Sequence, residues 1–168
     1  MNAPPLHPAP LDASTRPIVL GTDFGPVSSG AERSAIARAA ASGADLVIVH
    51  AIDSRLMRLP GGIWRQRVDQ VRAERERDAA GLVARARSAG VSARVLIWTG
   101  DPAGCVIDAA RAEGAAWIVV GTHGRGPIGR AISGSISGAV AAQAECPVDV
   151  IDPEGLVRSP AGHAGAPA

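Results

Sequence analysis

The sequence predicts a three-layer α/β sandwich, in which a parallel β-sheet is covered by helices on both of its faces. Two observations predict this fold class. Short apolar runs of strand length alternate along the chain with longer stretches in which apolar residues recur at helical spacing. Several of the apolar runs contain no polar position, as is typical of strands that are covered on both faces. Right-handed crossovers between such strands place the helices on both sides of a parallel sheet.

Composition and length indicate one globular domain. The chain has 168 residues, of which 46% are apolar, so it can bury a substantial core. Pro and Ala are frequent over residues 1–16, which show no regular periodicity, and Pro and Gly recur over residues 153–168. We therefore expect a flexible N-terminal arm over residues 1–16, a folded domain over residues 17–152 and a flexible C-terminal tail over residues 153–168.

The first strand and the first helix are predicted near the start of the domain. An apolar run over residues 18–20 predicts the strand, and helical spacing over residues 28–42 predicts the helix. Ser28 or Ser29 can cap the helix, and Glu32 stands where a capping box expects its acidic member. The residues that we expect on its buried face are Ile36, Ala39 and Ala40.

A second strand is predicted over residues 46–49, and a long helix over about residues 63–89, with Gly90 ending it. The charges of residues 72–78 alternate in sign, which indicates a solvated helix face with ion pairs one turn apart. The apolar stripe of this helix is predicted to consist of Val68, Val71, Leu82, Val83 and Ala86.

A third strand and a third helix are predicted over residues 95–98 and 103–112. Between them Asp101 is suited to cap the helix, and Pro102 is suited to its first position. A fourth strand over residues 117–120 leads into the glycine-rich loop described next. The last helix begins near Gly134, is broken by Cys146-Pro147 and is followed by a fifth strand over residues 148–151.

The glycine-rich stretch between the fourth strand and the last helix predicts a phosphate site. A strand, a glycine-rich loop and a helix in succession direct backbone N–H groups and a helix N-terminus at one point. Gly121 and Gly124 can adopt a positive φ and let a ligand approach the backbone. The first N–H groups of the last helix, at Gly134 and Ser135, lack partners within the helix. Arg125 and Arg130 can supply positive charge.

The basic residues of the chain exclude some chemistry. All 17 are arginine, because the sequence contains no lysine. A Walker-A lysine, a kinase-type strand lysine and a Schiff-base nucleophile are therefore excluded. The formal net charge of +1 argues against a protein that binds nucleic acid by neutralising phosphates.

Three loops are expected to meet at the carboxyl edge of the sheet, where parallel sheets bind ligands. They follow the first, second and fourth strands and contain Asp23, His50-Ala51 and the glycine-rich stretch. A carboxylate at Asp23 suits a ribose hydroxyl or a base edge, but it equally suits a plain cap for the next helix. From spacing alone both interpretations of Asp23 stay open.

Other residue types predict no further chemistry. The four histidines lack metal-ligand spacing, and Cys105 and Cys146 are too far apart for a CxxC pair, so we expect reduced, buried thiols. His123 is interpreted as a loop residue that donates to the backbone and not as a general base. No apolar run approaches the ~20 residues of a membrane span, and the N-terminus lacks a secretory pattern. We therefore expect a cytoplasmic protein without membrane contact.

The glycine spacing carries a family resemblance. The motif Gly121-x2-Gly124-x9-Gly134-Ser135 is similar to G-x2-G-x9-G-[S/T], the ATP-binding signature of the universal stress protein family. Four further pieces stand in family order over about residues 17–151. They are Thr22-Asp23-Phe24, Val49-His50-Ala51-Ile52-Asp53, Gly100-Asp101-Pro102 and Cys146-Pro147-Val148.

This resemblance implies a fold, a ligand and an assembly. The fold is adenine nucleotide alpha hydrolase-like, with five parallel strands in the order 3-2-1-4-5. The ligand is ATP or another adenine nucleotide, with Mg2+ or Mn2+ bridging its phosphates and no metal ligand from the protein. The assembly is a homodimer paired through the last strand. The nucleotide-binding residues that it implies are Thr22, Asp23, Ala51, Val120, Gly121, Gly124, Arg125, Gly134, Ser135 and Ile136.

The chain departs from the family pattern at four places. Gly25 replaces the usual Ser and removes a hydroxyl near the site, and Ala51 is smaller than the usual Val. Ala116-Trp117 places a bulky ring at the start of the fourth strand. Asp149 interrupts the usually apolar last strand, where an unpaired carboxylate would be costly to bury.

The function predicted from the sequence is that of a regulatory, stress-response protein that binds ATP, hydrolyses little or none of it and has no catalytic residues. One alternative is a nucleotide-free dimeric interaction module, and another is a weak ATPase. An ATP pyrophosphatase or nucleotidyl transferase of related fold would carry S-G-G-x-D-S after the first strand. Residues 28–33 lack that motif.

Overall fold

The computed structural model describes residues 16–53, 64–122 and 135–158, with the side chains of 64–68 and 135 excepted. The described part forms one parallel sheet of five strands in the order β3-β2-β1-β4-β5. The predicted fold class and strand order are therefore confirmed. The elements are β1 (Ile18–Gly21), α1 (Ser29–Ser42), β2 (Leu46–Ile52), α2 (Trp64–Ser88), β3 (Ala93–Thr99), α3 (Pro102–Ala112), β4 (Trp117–Gly121), α4 (Ser135–Gln143) and β5 (Val148–Ile151).

Two apolar cores lie on the two faces of the sheet, because successive strand residues point to opposite sides. On one face Val19 and Val49 pack with residues of α3 and α4, such as Val106 and Val140. On the other face Leu20 and its neighbours pack with α1 and α2. The helix residues that cover this second face are Ala31, Ala35 and Ala39 of α1 and Leu82 and Ala86 of α2.

The apolar faces of the helices agree with the sequence in part. Ala39, Leu82 and Ala86 are buried as predicted, and Ile36 is partly buried. Ala40 is exposed, so its predicted place on the inner face of α1 was wrong. The charged segment of α2 lies at the surface, where Arg75 pairs with Asp78 at 2.9 Å.

The start of α1 differs from the predicted capping box. Ser28 precedes the helix, but its side chain forms no capping hydrogen bond. Instead, Ser28 Oγ donates to Asp23 Oδ1 at 2.6 Å. Glu32 does not return to the cap either, because its carboxylate is directed into the interior towards Thr22. The capping-box prediction was therefore wrong, and both side chains take part in the site described below.

α3 begins as the sequence predicts. The Asp101 side chain accepts a hydrogen bond from Gly104 N at 3.0 Å, and Pro102 occupies the first helical position. A proline fits there because the first helical N–H has no partner within the helix. This turn places the N-terminus of α3 at the carboxyl edge of the sheet, beside the end of β2.

The chain continues past β5 along the free edge of the sheet. Val150 O accepts from Arg158 N at 2.6 Å, and Asp152 N donates to Leu156 O at 3.0 Å. Asp152 Oδ2 also accepts from Arg158 Nε at 2.9 Å. Ile151 forms an antiparallel bridge with Val157. Residues 153–158 belong to the predicted flexible tail, but these contacts give them a defined path beside β5, and we call them the edge segment.

Two of the departures from the family pattern lie side by side. Arg38 of α1 forms an ion pair with Asp149 of β5, which is only 6% exposed. The Arg38 guanidinium also lies 4.0 Å above the centroid of the Trp117 ring. The Asp149 carboxylate, whose burial without a partner would be costly, is thus neutralised by Arg38 of the same chain. The indole of Trp117 stacks on the guanidinium of Arg38.

The two cysteines are free thiols. Cys105 is buried, and Cys146 is partly buried. Burial raises the pKa of both thiols, so little thiolate is present near neutral pH. Both residues therefore pack as small apolar groups, and the prediction of a buried thiol is confirmed for Cys105 and holds only in part for Cys146.

Candidate functional site

A cavity of about 130 Å³ lies at the carboxyl edge of the sheet, where the strand order reverses between β1 and β4. Aliphatic side chains form most of its wall, and a few polar groups stand at its rim. Cavities with this composition at this position are the usual ligand sites of α/β sheets. The lining residues are Gly21, Thr22, Asp23, Ser28, Val49, His50, Ala51, Pro102, Val106, Val120, Gly121 and Ile136.

The structure brings six of the ten predicted site residues together on this wall. They are Thr22, Asp23, Ala51, Val120, Gly121 and Ile136. Ser135 begins α4, next to Ile136, but its side chain is not described. Gly124, Arg125 and Gly134 lie outside the described residues, as does His123.

Sequence reasoning did not expect α3 in the wall of the cavity. Pro102 and Val106 of α3 line the cavity, although only the loops after the first, second and fourth strands were expected to meet there. The signal was present, because the loop after the third strand of a parallel sheet ends at the same edge. Gly21 lets α3 approach closely, since a Cβ there would stand 2.8 Å from Val106 Cγ2.

Thr22 is held by hydrogen bonds at each of its polar atoms. Its N–H donates to Val49 O at 3.1 Å, and its carbonyl accepts from His50 Nδ1 at 2.9 Å. Its hydroxyl accepts from Phe24 N at 2.9 Å and donates to Glu32 Oε1 at 2.9 Å. A hydroxyl has a single hydrogen, so the Thr22 side chain has no donor left for a ligand. Thr22 shapes the cavity and anchors the turn that follows it.

Asp23 closes that turn. Its Oδ1 accepts from Gly25 N at 2.8 Å and from the Ser28 hydroxyl at 2.6 Å. These two bonds close the turn before α1 and do not cap the helix itself, whose N-cap residue is Ser28; the Asp23 carboxylate lines the cavity at the same time. A Cβ at Gly25 would approach Asp23 Oδ1 to 3.0 Å, so serine would crowd this arrangement. Ser28 provides the hydroxyl that Gly25 lacks.

Phe24 adopts a left-handed conformation that is costly for a side chain of its size. Its φ is +59°, and residues other than glycine in this region typically store about 1–3 kcal/mol of strain. The bond from its N–H to Thr22 Oγ1 and the contact of its ring with His50, at a centroid distance of 5.1 Å, stabilise it. The turn of residues 22–24 is thus a strained segment held by its neighbours at the rim of the cavity.

The local backbone conformation does not require glycine at position 121. Gly121 does not adopt the positive φ that glycine allows. A Cβ there would meet its nearest neighbour, Ser28 Cα, at an ordinary 3.6 Å. The packing around Gly121 would therefore accommodate a Cβ. Gly121 itself is part of the cavity wall.

His50 is buried beside Thr22, and burial lowers its pKa below the ordinary value of 6.5. The charge of Arg75 acts in the same direction. The bond to the Thr22 carbonyl and the charges of Asp23 and Asp78 oppose the shift. Because a carbonyl only accepts, Nδ1 carries the hydrogen, and the neutral imidazole is the form that the folded state favours.

We predict that acidification destabilises the protein through His50. Between the lowered folded pKa and about 6.5 the unfolded chain binds more protons, so the free energy of unfolding falls as the pH decreases through this interval. Urea unfolding at about pH 7.5 and pH 5.5 measures this loss of unfolding free energy. The loss should be smaller in His50→Asn. An identical loss in wild type and variant would exclude His50 as its source.

Among residues 16–53, 64–122 and 135–158, no group of three or more His, Cys, Asp or Glu side chains is placed to hold a metal ion. In the same part of the chain, no helix is both long enough and apolar enough to traverse a bilayer.

Comparison with known proteins identifies the family. The model of the universal stress protein family matches residues 14–152. A universal stress protein of Mycolicibacterium smegmatis is 34% identical over 141 residues, which cover 83% of this chain and 47% of that protein. The chain therefore spans about half the length of the curated relatives that it matches.

Solved structures share the fold. One is a universal stress protein in complex with cAMP, with 25% identity, a TM-score of 0.62 and coverage of 82% of this chain and 97% of the other. Another is the universal stress protein from Archaeoglobus fulgidus in complex with dAMP, with 25% identity, a TM-score of 0.58 and coverage of 80% and 95%. The family model covers most of the chain and the mycobacterial relative is 34% identical to it, so the chain belongs to the universal stress protein family.

Proposed function

We propose that this protein binds an adenine nucleotide, ATP in particular, in the cavity at the carboxyl edge of the sheet, and that it acts as a regulatory protein in a stress response. One observation carries the proposal: six residues for which the family resemblance implies nucleotide contact line a single cavity at the switch point of strand order. The family structures with cAMP and dAMP support an adenine nucleotide as the ligand class.

The cavity suits the adenosine half of the ligand. Ala51, Val49 and Val120 offer aliphatic surface to a flat purine, and Asp23 stands at the rim, where a carboxylate can accept hydrogen bonds from ribose hydroxyls. A carboxylate repels phosphate, so the phosphates would extend away from Asp23 and towards the start of α4.

The phosphates would be held by main-chain donors. The first N–H groups of α4 and the Gly121-x2-Gly124-x9-Gly134-Ser135 signature supply them, with Arg125 as a source of charge. We assign Mg2+ or Mn2+ to the phosphate oxygens and not to protein side chains. Such an ion would neutralise part of the triphosphate charge.

Binding and not turnover is the proposed activity. The ionisable side chains among the described lining residues are Asp23 and His50, and each is engaged in hydrogen bonds that hold the rim. We therefore expect little or no ATP hydrolysis. Phosphate release with purified protein measures this, and turnover at about 1 s⁻¹ or faster, as in ordinary enzymes, would favour the ATPase alternative.

The test of function is equilibrium binding of Mg-ATP to the full chain by calorimetry. We predict that Gly134→Val weakens binding at least about tenfold, because a branched side chain would stand where the ligand meets the helix N-terminus. Gly81→Val is the matched control, because a Cβ at Gly81 meets nothing within 4 Å. Equal affinity of wild type and Gly134→Val for Mg-ATP would contradict a role of the glycine signature in binding.

Titrations with AMP and cAMP distinguish the nucleotide, and mass spectrometry of gently purified protein identifies any nucleotide that copurifies. If no adenine nucleotide binds, the nucleotide-free interaction module that Gly25 and Ala51 suggested becomes the better description. A cytoplasmic location, without nucleic-acid or membrane partners, stays a prediction from the sequence.

The homodimer through the last strand also stays a prediction. In the structure, Val150 O and Asp152 N on the free edge of β5 bond to the edge segment of the same chain. Pairing of two copies along β5 would require the edge segment to leave, with loss of the Arg158 to Asp152 ion pair. Sedimentation of the full chain measures the assembly.

A further inference from the structure

Glu32 is a buried carboxylate that the proposed contacts with nucleotide do not use. It is 6% exposed and lies in the first turn of α1, among alanines of the core. Burial of a carboxylate is costly unless it is paired and hydrogen-bonded. A leucine at this position would avoid that cost, so the carboxylate needs a local explanation.

Each oxygen of Glu32 has a defined partner. Oε1 accepts the hydroxyl hydrogen of Thr22 at 2.9 Å, and Oε2 accepts from Arg85 Nη2 of α2 at 2.6 Å. The Arg85 side chain is 58% exposed, so the guanidinium neutralises the carboxylate from the solvent side. Glu32 thus links the surface of α2 to a residue on the wall of the cavity.

The bond from Glu32 fixes the direction of the Thr22 hydroxyl. With its hydrogen directed at Glu32, Thr22 Oγ1 presents a lone pair to Phe24 N. That acceptor holds Phe24 at its positive φ and thereby sets the turn that carries Asp23. Without Glu32 the hydroxyl can rotate, and the strained turn loses the group that orients its acceptor.

We propose that Glu32, neutralised by Arg85, is a positioning residue for the adenosine half of the nucleotide. It acts through the Thr22 hydroxyl to hold the turn of residues 22–24, and hence Asp23, in the conformation that accepts a purine nucleoside. This inference rests on the proposed function. It goes further by predicting that nucleoside affinity depends on Glu32, whereas affinity for the phosphate chain does not.

The experiment compares adenosine, Mg-ATP and tripolyphosphate by calorimetry on full-length variants, with folding checked by circular dichroism. Glu32→Leu should lower the affinity for adenosine and ATP about tenfold, the typical effect of losing one hydrogen bond to a charged group, and leave that for tripolyphosphate unchanged. Glu32→Gln should retain adenosine affinity within about threefold, because its amide oxygen still accepts from Thr22. Glu74→Gln on the exposed surface of α2 is the matched control.

A second pair of variants covers the case in which Glu32→Leu does not fold. Thr22→Val removes the hydroxyl and keeps the shape, and Thr22→Ser keeps the hydroxyl, so the first should lose adenosine affinity and the second should retain it. The double variant Thr22→Val/Glu32→Gln should bind no worse than Thr22→Val alone, because both act through one bond.

The outcomes separate the two proposals. If wild type binds no adenine nucleotide, the proposed function and this inference fall together. If wild type binds and Glu32→Leu binds adenosine equally well, only the positioning role is overturned. Equal losses for adenosine and tripolyphosphate would also overturn it, because they would indicate general loss of structure.

Discussion

Replacement of Gly30 by alanine is expected to lower the free energy of unfolding by about 3 kcal/mol, at the upper end of the usual cost of overpacking. Gly30 lies in the first turn of α1, directly against the chain that leaves β5. A Cβ at Gly30 would stand 2.1 Å from Asp152 O and 2.9 Å from Pro153 O. Both contacts are with backbone, which cannot rotate away as a side chain does.

A glycine-to-alanine substitution elsewhere serves as the matched control and should change the free energy of unfolding in the opposite direction. Gly81 lies on the exposed face of α2, and a Cβ there meets nothing within 4 Å. Gly81→Ala should therefore raise the free energy of unfolding by about 0.5–1 kcal/mol through helix propensity alone. Urea unfolding of both variants measures the contrast. A Gly30→Ala protein as stable as wild type would contradict the close approach of α1 to residues 152–153.

Arg38→Leu is expected to lower the free energy of unfolding by about 2 kcal/mol. The loss of one partner from a buried pair costs about 3–5 kcal/mol, and the partial exposure of Arg38 reduces this. The substitution leaves Asp149 buried without its partner and removes the guanidinium that stacks on Trp117. The cost arises mainly from the stranded carboxylate.

Two variants test that explanation. Asp149→Leu combined with Arg38→Leu should recover much of the loss, because the double variant contains no buried charge at this place. Arg111→Leu removes an exposed partner of Glu145, with side chains 56% and 75% exposed, and should change the free energy of unfolding by less than about 0.5 kcal/mol. An Arg38→Leu effect as small as that of Arg111→Leu would show that Asp149 does not depend on Arg38.

The fold was predictable from local patterns in the chain. Apolar runs such as residues 46–49 and the Asp101-Pro102 helix start carry their structure in neighbouring residues, and right-handed crossovers then determine the layers. The strand order came from the family resemblance. The buried face of α1 was predicted less well, as Ala40 shows. This helix has alanines on both its buried and its exposed side, so the sequence alone does not distinguish the two faces.

The site was predictable only in its outline. Motif residues such as Thr22 and Ala51 marked the cavity, but the support behind them comes from pairs that are distant along the chain. Glu32 meets Arg85 across 53 positions, and Arg38 meets Asp149 across 111. Periodicity places such residues on a face of an element and does not identify their partners. Glu32 was therefore interpreted as half of a capping box, when it is a buried charge.

The central claim is that the cavity at the carboxyl edge holds the adenosine half of a nucleotide. Titration of the full-length, isotope-labelled protein with adenosine, followed by amide NMR shifts, tests it most directly. A second cavity of about 170 Å³ at the opposite edge of the sheet, lined in part by Arg16, Ala115 and Cys146, serves as an internal control. We predict saturable shifts at the amides of Thr22, Ala51, Val120 and Ile136 and none at the control residues. Shifts confined to the second cavity, or none at millimolar adenosine, would contradict the account.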